Sequence, residues 1–467
     1  MSKAVVTGVG IVAALGVAYL GATAWTGAQV QTRYEQQIAK IQAQFPFIKI
    51  SESQYEKGFF KSTSTVTIQL GCDVEAGSDR KPVLIVVKDM IQHGPLPGGA
   101  SLAAAVVDSE IVLPPDAQQA VTKIFGTAKP FTMRTSVGFG GDTVSRISSP
   151  AAKMDGPEGE VMTWQGLSAT LRGDSAMKTF KYELALPGIT VTDAKKGMTM
   201  QLSALQLTGD GTAVTEAGLL KVGKDEGSIA SIGVTVVAAP GAKDAKPTKV
   251  EFSNLKFSSQ SAVENDLVSS TVQMTGAGML GESKLENLEL QGSMRRIHAP
   301  TYERMMTNIL QSSAACYSGK NKSGGSPEAV LEQTQKDMAA LLPFNPEYSV
   351  DKLAADFGGK RGEISHSVGI NGATAEDAKL PATAMLMTRG RIKADFKLPV
   401  DWITQLAEHV ASRSGGMTPD AKGVNLMIDQ AAGQGFVVRD GEFIKTSMVF
   451  NKGEFTVNGN ALPMFGK

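Results

Sequence analysis

Hydrophobic and polar residues alternate along most of the first two thirds of the chain, from residue 47 to about residue 291. In the segment 179–193, large apolar residues occupy every second position up to Leu186. Successive side chains of a β-strand point to opposite faces of a sheet, so this spacing predicts strands with one apolar and one polar face. The pair Pro187-Gly188 predicts a turn at that point.

A short pattern recurs in this region: an apolar residue, two further residues, a leucine, one residue and a second apolar residue. It occurs in three segments, with a related start in a fourth: Leu202–Leu207, Phe252–Phe257, Leu285–Leu290 and Trp164–Leu167. The unequal intervals argue against a solenoid repeat and favour a succession of antiparallel strands. The apolar face of such a sheet must be covered by another sheet, helices, a second chain or a ligand.

From residue 300 the spacing becomes helical in several segments, and strands lie between them. Proline at the first helical position marks helix starts at Pro327 and Pro419. Asn451–Gly453 predicts a β-hairpin near the end of the chain. The predicted fold class is therefore α+β and rich in β-structure, with an antiparallel sheet body at 47–299. A helix-containing α+β region at 300–467 is expected to pack on that body and cover its sheet.

The N-terminal segment Ala4–Trp25 contains no charged residue. As a helix it spans roughly 33 Å at about 1.5 Å per residue, which is enough to cross a bilayer core. We therefore predict a transmembrane anchor at 1–26, with the N-terminus in the cytoplasm and the body outside. Representative anchor positions are Ala4, Gly8, Val12, Gly16, Tyr19 and Trp25.

Two other interpretations of this segment fit its length and context less well. Ala22–Ala24 fits the cleavage site of a signal peptide, but the apolar run is longer than the usual ~7–15 residues. Gly8–Ala13 matches a dinucleotide-binding fingerprint, which requires a βαβ unit, whereas here the apolar run simply continues. Small residues at four-residue spacing also offer a surface for helix self-association, namely Ala14, Ala18 and Ala22.

A short amphipathic helix is predicted at 27–46, directly after the anchor. Its apolar positions fall on one helical face: Tyr34, Ile38, Ile41 and Phe45. Packing of this face against the body is the simplest expectation. A second subunit and the lipid headgroups remain alternatives.

The charge balance and the scattered histidines argue against nucleic-acid binding and metal binding. Lys plus Arg and Asp plus Glu both total 46, so there is no net basic charge to favour nucleic acid as a partner. The four histidines are scattered in the sequence, and no metal site or cofactor is predicted. Cys72 and Cys316 could form a disulfide outside the cytoplasm or remain free thiols.

Four segments carry a family resemblance, in order along the chain: Trp25–Gly27, Tyr55–Ser62, Ile91–Leu96, and Gly433–Phe436 with Phe455–Gly459. The chain resembles the YdgA-like family of bacterial inner-membrane-anchored proteins, whose biochemical activity is undefined. This resemblance implies an inner-membrane anchor, a periplasmic β-rich body and a dimer, and it implies no catalytic residue. The motif positions, expected to be structural, are Gly58, Phe59, Ser62, His93, Gly94, Pro95, Asn458 and Gly459.

His93 is the most prominent candidate for chemistry, because an imidazole beside a Gly-Pro turn can titrate near neutral pH. The sequence supplies no partner nucleophile or ligand set for it, so we expect it to end a strand and stabilise a turn. The glycine-rich stretches at 98–99 and 138–141 are expected in turns or bulges, since no helix start follows to form a phosphate site.

The sequence therefore predicts a non-enzymatic envelope protein with a scaffolding or assembly role, acting as a homodimer. The alternative is a carrier that holds a lipid or another hydrophobic ligand in a groove lined by strands. Expected partners are membrane lipid through the anchor, a second copy, and an envelope protein or hydrophobic ligand. No nucleic acid is expected.

Overall fold

The computed structural model contains one very long antiparallel sheet. It describes residues 3–44, 48–70, 83–99, 101–112, 115–156, 159–176, 178–215, 218–237, 248–314, 327–374, 376–377, 380–405 and 421–462. Within helices and strands, the side chains of some residues, including 3–18, also lie outside the described set. Cys72 and Cys316 fall outside the described residues, so the question of their disulfide does too.

The described residues form strands β1 to β22. The first eleven are β1 Ile48–Glu56, β2 Lys61–Leu70, β3 Val83–His93, β4 Ala105–Val112, β5 Thr132–Val137, β6 Thr143–Ser149, β7 Ala152–Asp155, β8 Glu160–Trp164, β9 Leu167–Gly173, β10 Thr179–Asp193 and β11 Met198–Ala213. The others are β12 Lys221–Val236, β13 Thr248–Glu264, β14 Leu267–Leu280, β15 Ser283–His298, β16 Glu347–Phe357, β17 Lys360–Ile370, β18 Gly390–Pro399, β19 Val438–Asp440, β20 Phe443–Asn451, β21 Glu454–Val457 and β22 Asn460–Leu462.

Helices precede the strands and interrupt their succession. They are α1 Lys3–Gln44, α2 Pro115–Phe125, α3 Ala299–Ala314, α4 Pro327–Ala339, α5 Ala382–Arg389 and α6 Ala421–Gly433. Residues 400–405 are also helical, and short 3₁₀ turns occur at Pro97–Gly99 and Leu342–Phe344. α1 is one continuous helix through both the predicted anchor and the predicted amphipathic segment.

Neighbouring strands pair antiparallel throughout the sheet. The order in space is β1 to β6, then β9 to β18, then β20, β21 and β22. β8 pairs with one end of β10 and with β7, while β19 pairs with β20. The strands after residue 300 thus continue the same sheet as the preceding body.

Little of this sheet is buried. The accessible surface is 28,315 Å², whereas a compact monomer of 49.1 kDa exposes roughly 17,000 Å². Small cores lie where helices pack at the ends of strands. One core contains Val268, Ile297, Ala299 and Leu341, and another contains Val400, Val424 and Ile428. The C-terminal helices therefore cover strand ends and leave the central rows of the sheet accessible, which is less cover than the sequence predicted.

The recurring apolar pattern has a backbone explanation. In each copy the residue before the leucine has a positive φ: +48° at Ala204, +51° at Asn254, +48° at Asn287 and +96° at Gly166. A left-handed residue interrupts the two-residue alternation of a strand, which allows apolar residues three positions apart to share one face. These residues fall on β11, β13, β15 and directly before β9, so every second strand is bent at a similar level.

One predicted turn is wrong, and one predicted hairpin is confirmed. β10 continues through Pro187 and Gly188, because Gly188 still pairs with Ser203 of β11. The missing N–H of proline is tolerated at a bend where the facing residue of β11 is already left-handed. The hairpin between β20 and β21 forms as expected, with positive φ at Lys452 and Gly453.

Candidate functional site

A row of apolar side chains crosses the sheet. Directly paired residues of neighbouring strands share one face. Following the pairs from β5 to β18 gives the apolar row: Met133, Ile147, Ala169, Leu184, Leu207, Gly227, Phe257, Met274, Leu290, Leu353, Ile364 and Phe396. At roughly 4.8 Å between strands, twelve strands span about 50 Å.

Every residue of the apolar row is half-buried or exposed. Their neighbours along the strands point to the other face and are mainly polar: Glu183, Gln206, Thr208, Glu226, Ser228, Lys256, Ser258, Gln273, Thr275, Glu289 and Gln291. An apolar row in contact with solvent over many strands is unusual for a monomer and indicates a binding surface.

The polar face carries its own ion-pair network. The carboxylate of Glu289 accepts from Lys352 Nζ and Arg361 Nη2, both at 2.8 Å, and Arg361 Nη1 also contacts Asp356 at 2.9 Å. The hydrogen bond from Lys352 is the main reason that the pKa of Glu289 lies below its usual value. This face of the sheet is therefore hydrophilic, whereas the face with the apolar row is hydrophobic.

Aromatic rings lie across glycines near the apolar row. A Cβ at Gly227 would come within 2.3 Å of the Phe257 ring, and a Cβ at Gly209 would come within 2.6 Å of the Tyr182 ring. Both rings therefore pack directly on the backbone of the neighbouring strand. A shallow cleft of about 420 Å³ lies at this level of β11 to β14, with Leu207 and Met274 among its lining residues.

Helix α1 lies on the same face as the apolar row. The pairs Tyr55–Ser64, Ser64–Asp89, Asp89–Ser109 and Ser109–Met133 show that these residues of β1 to β4 lie on the same face as Met133. Ser64 and Asp89 are buried in the part of the sheet beneath α1. The apolar row therefore begins on β5, the strand that follows the four strands beneath α1.

We call the contact between α1 and β1 to β4 the helix–sheet junction. At its centre is His93, the last residue of β3, which is 2% exposed. His93 Nδ1 lies 2.9 Å from the carbonyl oxygen of Phe59, which can only accept, so Nδ1 carries the proton. In the neutral ring Nε2 then accepts from Ser62 Oγ at 3.0 Å.

Two residues of α1 close the junction over His93. A Cβ at Gly27 would lie 2.7 Å from His93 Nδ1, so only glycine allows the helix to approach this closely. The hydroxyl of Thr26 donates to the carbonyl oxygen of Gly94 at 3.2 Å. The Gly94-Pro95 peptide bond is cis, and a Cβ at Gly94 would meet the carbonyl oxygen of Ala103.

A second contact lies closer to the C-terminal end of α1, where the hydroxyl of Tyr34 donates to the Asp89 carboxylate at 2.5 Å. Burial is the main reason that the pKa of Tyr34 is raised above its usual value, and the bond to Asp89 adds to it. The Tyr34 ring also packs on Tyr55, with ring centroids 5.8 Å apart. The amphipathic face therefore meets the body at Tyr34, as the sequence predicts, while the Phe45 side chain lies outside the described residues.

Ser62 and His93 have the geometry of a serine–histidine pair, yet a substrate has no route to them. Ser62 is 1% exposed, and the backbone of α1 at Gly27 packs against the His93 ring. A nucleophile needs an accessible position beside its base. The pair therefore ties β2, β3 and the β1–β2 turn together. Among the described residues, no group of three or more His, Cys, Asp or Glu side chains could hold a metal ion.

The C-terminal motif residues form a separate structural clasp. Asn458 has φ of +50°; its side-chain oxygen accepts from the Ser447 N–H, and its amide donates to the Gly435 carbonyl, both at 2.9 Å. Gly459 follows with φ of +83° in the turn before β22. The clasp ties α6 to the last hairpin and contacts no residue of the helix–sheet junction.

The predicted anchor positions fall on α1. Tyr19 stacks on Phe60 with centroids 6.5 Å apart, and Trp25 is 61% exposed. The side chains of Ala4, Gly8, Val12 and Gly16 lie outside the described set. Within the described part of the chain, the structure contains no helix whose length and apolar character suffice to cross a membrane.

Sequence reasoning identified Ser62 and His93 separately but did not pair them. They lie 31 residues apart on neighbouring strands, and only the register of β2 against β3 brings them together. The contacts of Thr26 and Gly27 were also missed. The signal that could have found them is Thr26-Gly27 at the junction of an apolar and an amphipathic segment, where a close approach of the backbone is permitted.

Comparison with known proteins places the chain in a family. The family model described as "Bacterial protein of unknown function (DUF945)" matches residues 1–465. The chain is similar to Protein YdgA of Escherichia coli (strain K12), with 21% identity over 504 residues, covering 99% of this chain and 95% of that protein. No solved structure matches the chain. The chain therefore belongs to the DUF945 family of bacterial proteins, in agreement with its resemblance to YdgA-like proteins.

Proposed function

We propose that this protein is a membrane-anchored carrier that holds the acyl chains of a lipid against the apolar row. The single observation that carries the proposal is the continuity of that row across twelve strands with no residue fully buried. Each methylene moved from water onto an apolar surface stabilises the complex by up to about 0.8 kcal/mol. A row about 50 Å long offers ample contact for such a ligand.

The proposed location is the inner membrane, with the N-terminus in the cytoplasm and the body in the periplasm. The uncharged run Ala4–Trp25 and the resemblance to YdgA-like proteins support this placement. α1 continues directly from that run onto the face of the sheet that carries the apolar row. A lipid leaving the bilayer would therefore meet the row on the same face as the anchor helix.

The scaffolding role predicted from the sequence requires the apolar row to bind a protein chain instead of a lipid. A homodimer that covers the apolar row with a second copy would leave no space for lipid. The half-exposed state of the row in one chain fits either occupant, whereas the link from α1 to the row favours a lipid source. The mass of the purified protein distinguishes the two.

Native mass spectrometry of the detergent-extracted full chain tests this proposal. We expect a reproducible mass increment of lipid on a single copy. Met274→Glu places a carboxylate in the row, and Gln273→Glu places the same group on the other face, opposite the uncharged Ser258 and Gln291. We expect Met274→Glu to lose about tenfold or more of the bound lipid, because an unpaired carboxylate against acyl chains costs more than about 1.4 kcal/mol.

Gln273→Glu is expected to retain the lipid of the unmodified chain. A lipid-free dimer that becomes monomeric in Met274→Glu would support the scaffolding role instead. Equal lipid content in the two variants would show that the lipid binds elsewhere on the protein.

A further inference from the structure

Three connections lie side by side at one end of the sheet, where α1 arrives. They are the β1–β2 turn at 57–60, the β3–β4 connection at 94–104 and the β5–β6 turn at 138–142. The pairs Glu56–Thr63, His93–Ala105 and Val137–Thr143 place all three at the same end of their strands.

These connections carry large apolar side chains that remain exposed. We call them the apolar edge: Phe59, Phe60, Leu96, Leu102 and Phe139, which are 40–79% exposed. Turns in solvent are usually polar, and a cluster of this kind marks a contact surface. The connection 94–104 is eleven residues long and contains no charged residue.

α1 touches each of the three connections and so fixes them relative to one another. Tyr19 stacks on Phe60 in the first connection. Thr26 donates to the Gly94 carbonyl at the start of the second. A Cβ at Gly141 in the third would lie within 2.2 Å of Arg33 Nη1.

The direction of α1 indicates what the apolar edge faces. Tyr34 contacts Asp89 within β3, Thr26 contacts Gly94 at the end of β3, and Tyr19 reaches Phe60 in the turn. The helix thus runs toward its N-terminus past the apolar edge. The residues beyond that point belong to the uncharged run that begins at Ala4.

Two lysines beside the apolar edge fit the surface of a bilayer. Lys57 and Lys61 flank Phe59 and Phe60, and both lysines are exposed. Phe and Leu side chains on a surface segment can insert at the boundary between the headgroups and the acyl chains. Lysines next to them can reach the phosphates of anionic lipids while their stems cover apolar surface.

We infer that the apolar edge inserts into the bilayer surface and holds the first strands of the sheet against the membrane. This inference rests on the proposed anchor, but it assigns a second, separate lipid contact to three turns of the body. The partner is the outer face of the membrane that α1 enters. The apolar row then starts close to that surface, where a lipid can pass onto it.

An environment-sensitive NBD label on the full chain tests this contact. Leu102→Cys labels the apolar edge, and Leu426→Cys labels a leucine of similar exposure on α6, at 79% and 69% respectively. Both are made in a Cys72→Ser/Cys316→Ser background and reconstituted in vesicles of phosphatidylethanolamine and phosphatidylglycerol. Spin-labelled lipid serves as the quencher, and flotation of the vesicles reports the anchor independently.

We expect the label at position 102 to shift to the blue and to be quenched roughly twofold or more, because it sits at the headgroup–acyl boundary. The label at position 426 is expected to stay unquenched. A chain that floats with equal quenching at both positions overturns the apolar edge and leaves the anchor intact. A chain that does not float overturns both. A label at 102 that is shielded in cells but not quenched in vesicles would identify a protein partner and also overturn the inference.

Discussion

The variant Gly27→Val is expected to detach α1 from the sheet and to destabilise the protein by about 1–3 kcal/mol, the usual cost of overfilling a packed site. The added Cβ would lie 2.7 Å from His93 Nδ1. The ring cannot move aside, because it is buried and both of its nitrogens already have partners. The higher helix propensity of valine offsets only a few tenths of this cost.

Ala28→Val is the matched control, since Ala28 is the next residue of α1 and is exposed. The thermal midpoint of the detergent-solubilised protein and the rate of proteolysis within α1 measure the effect. We expect a lower midpoint and faster cleavage for Gly27→Val alone. Equal behaviour of the two valine variants would mean that α1 does not pack on His93.

Replacing His93 by leucine should have an effect of similar size, about 1–3 kcal/mol, because it removes the acceptor of a buried hydroxyl. The hydroxyl of Ser62, which is 1% exposed, loses Nε2 as its acceptor, and the carbonyl oxygen of Phe59 loses the Nδ1–H of the ring. His366→Leu is the control, because His366 is only half-buried and packs on Tyr348, with ring centroids 5.9 Å apart. The free energy of unfolding in urea gives the comparison.

This variant also separates a structural role from a catalytic one. A structural His93 predicts a loss of stability in both His93→Leu and Ser62→Ala, with a double-mutant cycle showing coupling between them. It further predicts that Ser62 does not react with a fluorophosphonate probe in the folded protein. Labelling of Ser62 together with an unchanged unfolding free energy for His93→Leu would contradict the structural role.

Much of the sheet could be predicted from the sequence, because alternation of apolar and polar residues is a local signal. The segment 179–193 shows both the strength and the limit of that signal. Its alternation predicts β10, but the turn expected at Pro187-Gly188 does not form, since pairing with β11 continues on both sides. Pairing with the neighbouring strand therefore outweighs the local preference of Pro187-Gly188 for a turn.

The recurring pattern was visible in the sequence, but its meaning was not. Alanine has no preference for positive φ, and the residues beside Ala204 give no signal that φ is positive there. Asn254 and Asn287 adopt the left-handed region more readily and are weak signals for it. Only the alignment of these residues on alternate strands shows that they bend the sheet at one level.

The candidate surfaces depend on register, which a single sequence does not specify over long distances. The apolar row joins residues as far apart as Met133 and Phe396 through eleven successive pairings. The helix–sheet junction joins Gly27 to His93, which lie on different elements. Some members of each set, such as Leu207 and His93, stand out in the sequence, while the fold alone determines which residues meet.

Photocrosslinking with a diazirine-labelled fatty acid in bacterial membranes tests the central claim most directly. The apolar row predicts labelled peptides from β10 to β18 that contain residues such as Leu207, Met274 and Leu290. Labels on the polar face, at residues such as Gln273 or Glu289, are expected to be rare. Labelling confined to α1, or spread equally over both faces, would contradict a lipid-carrying row.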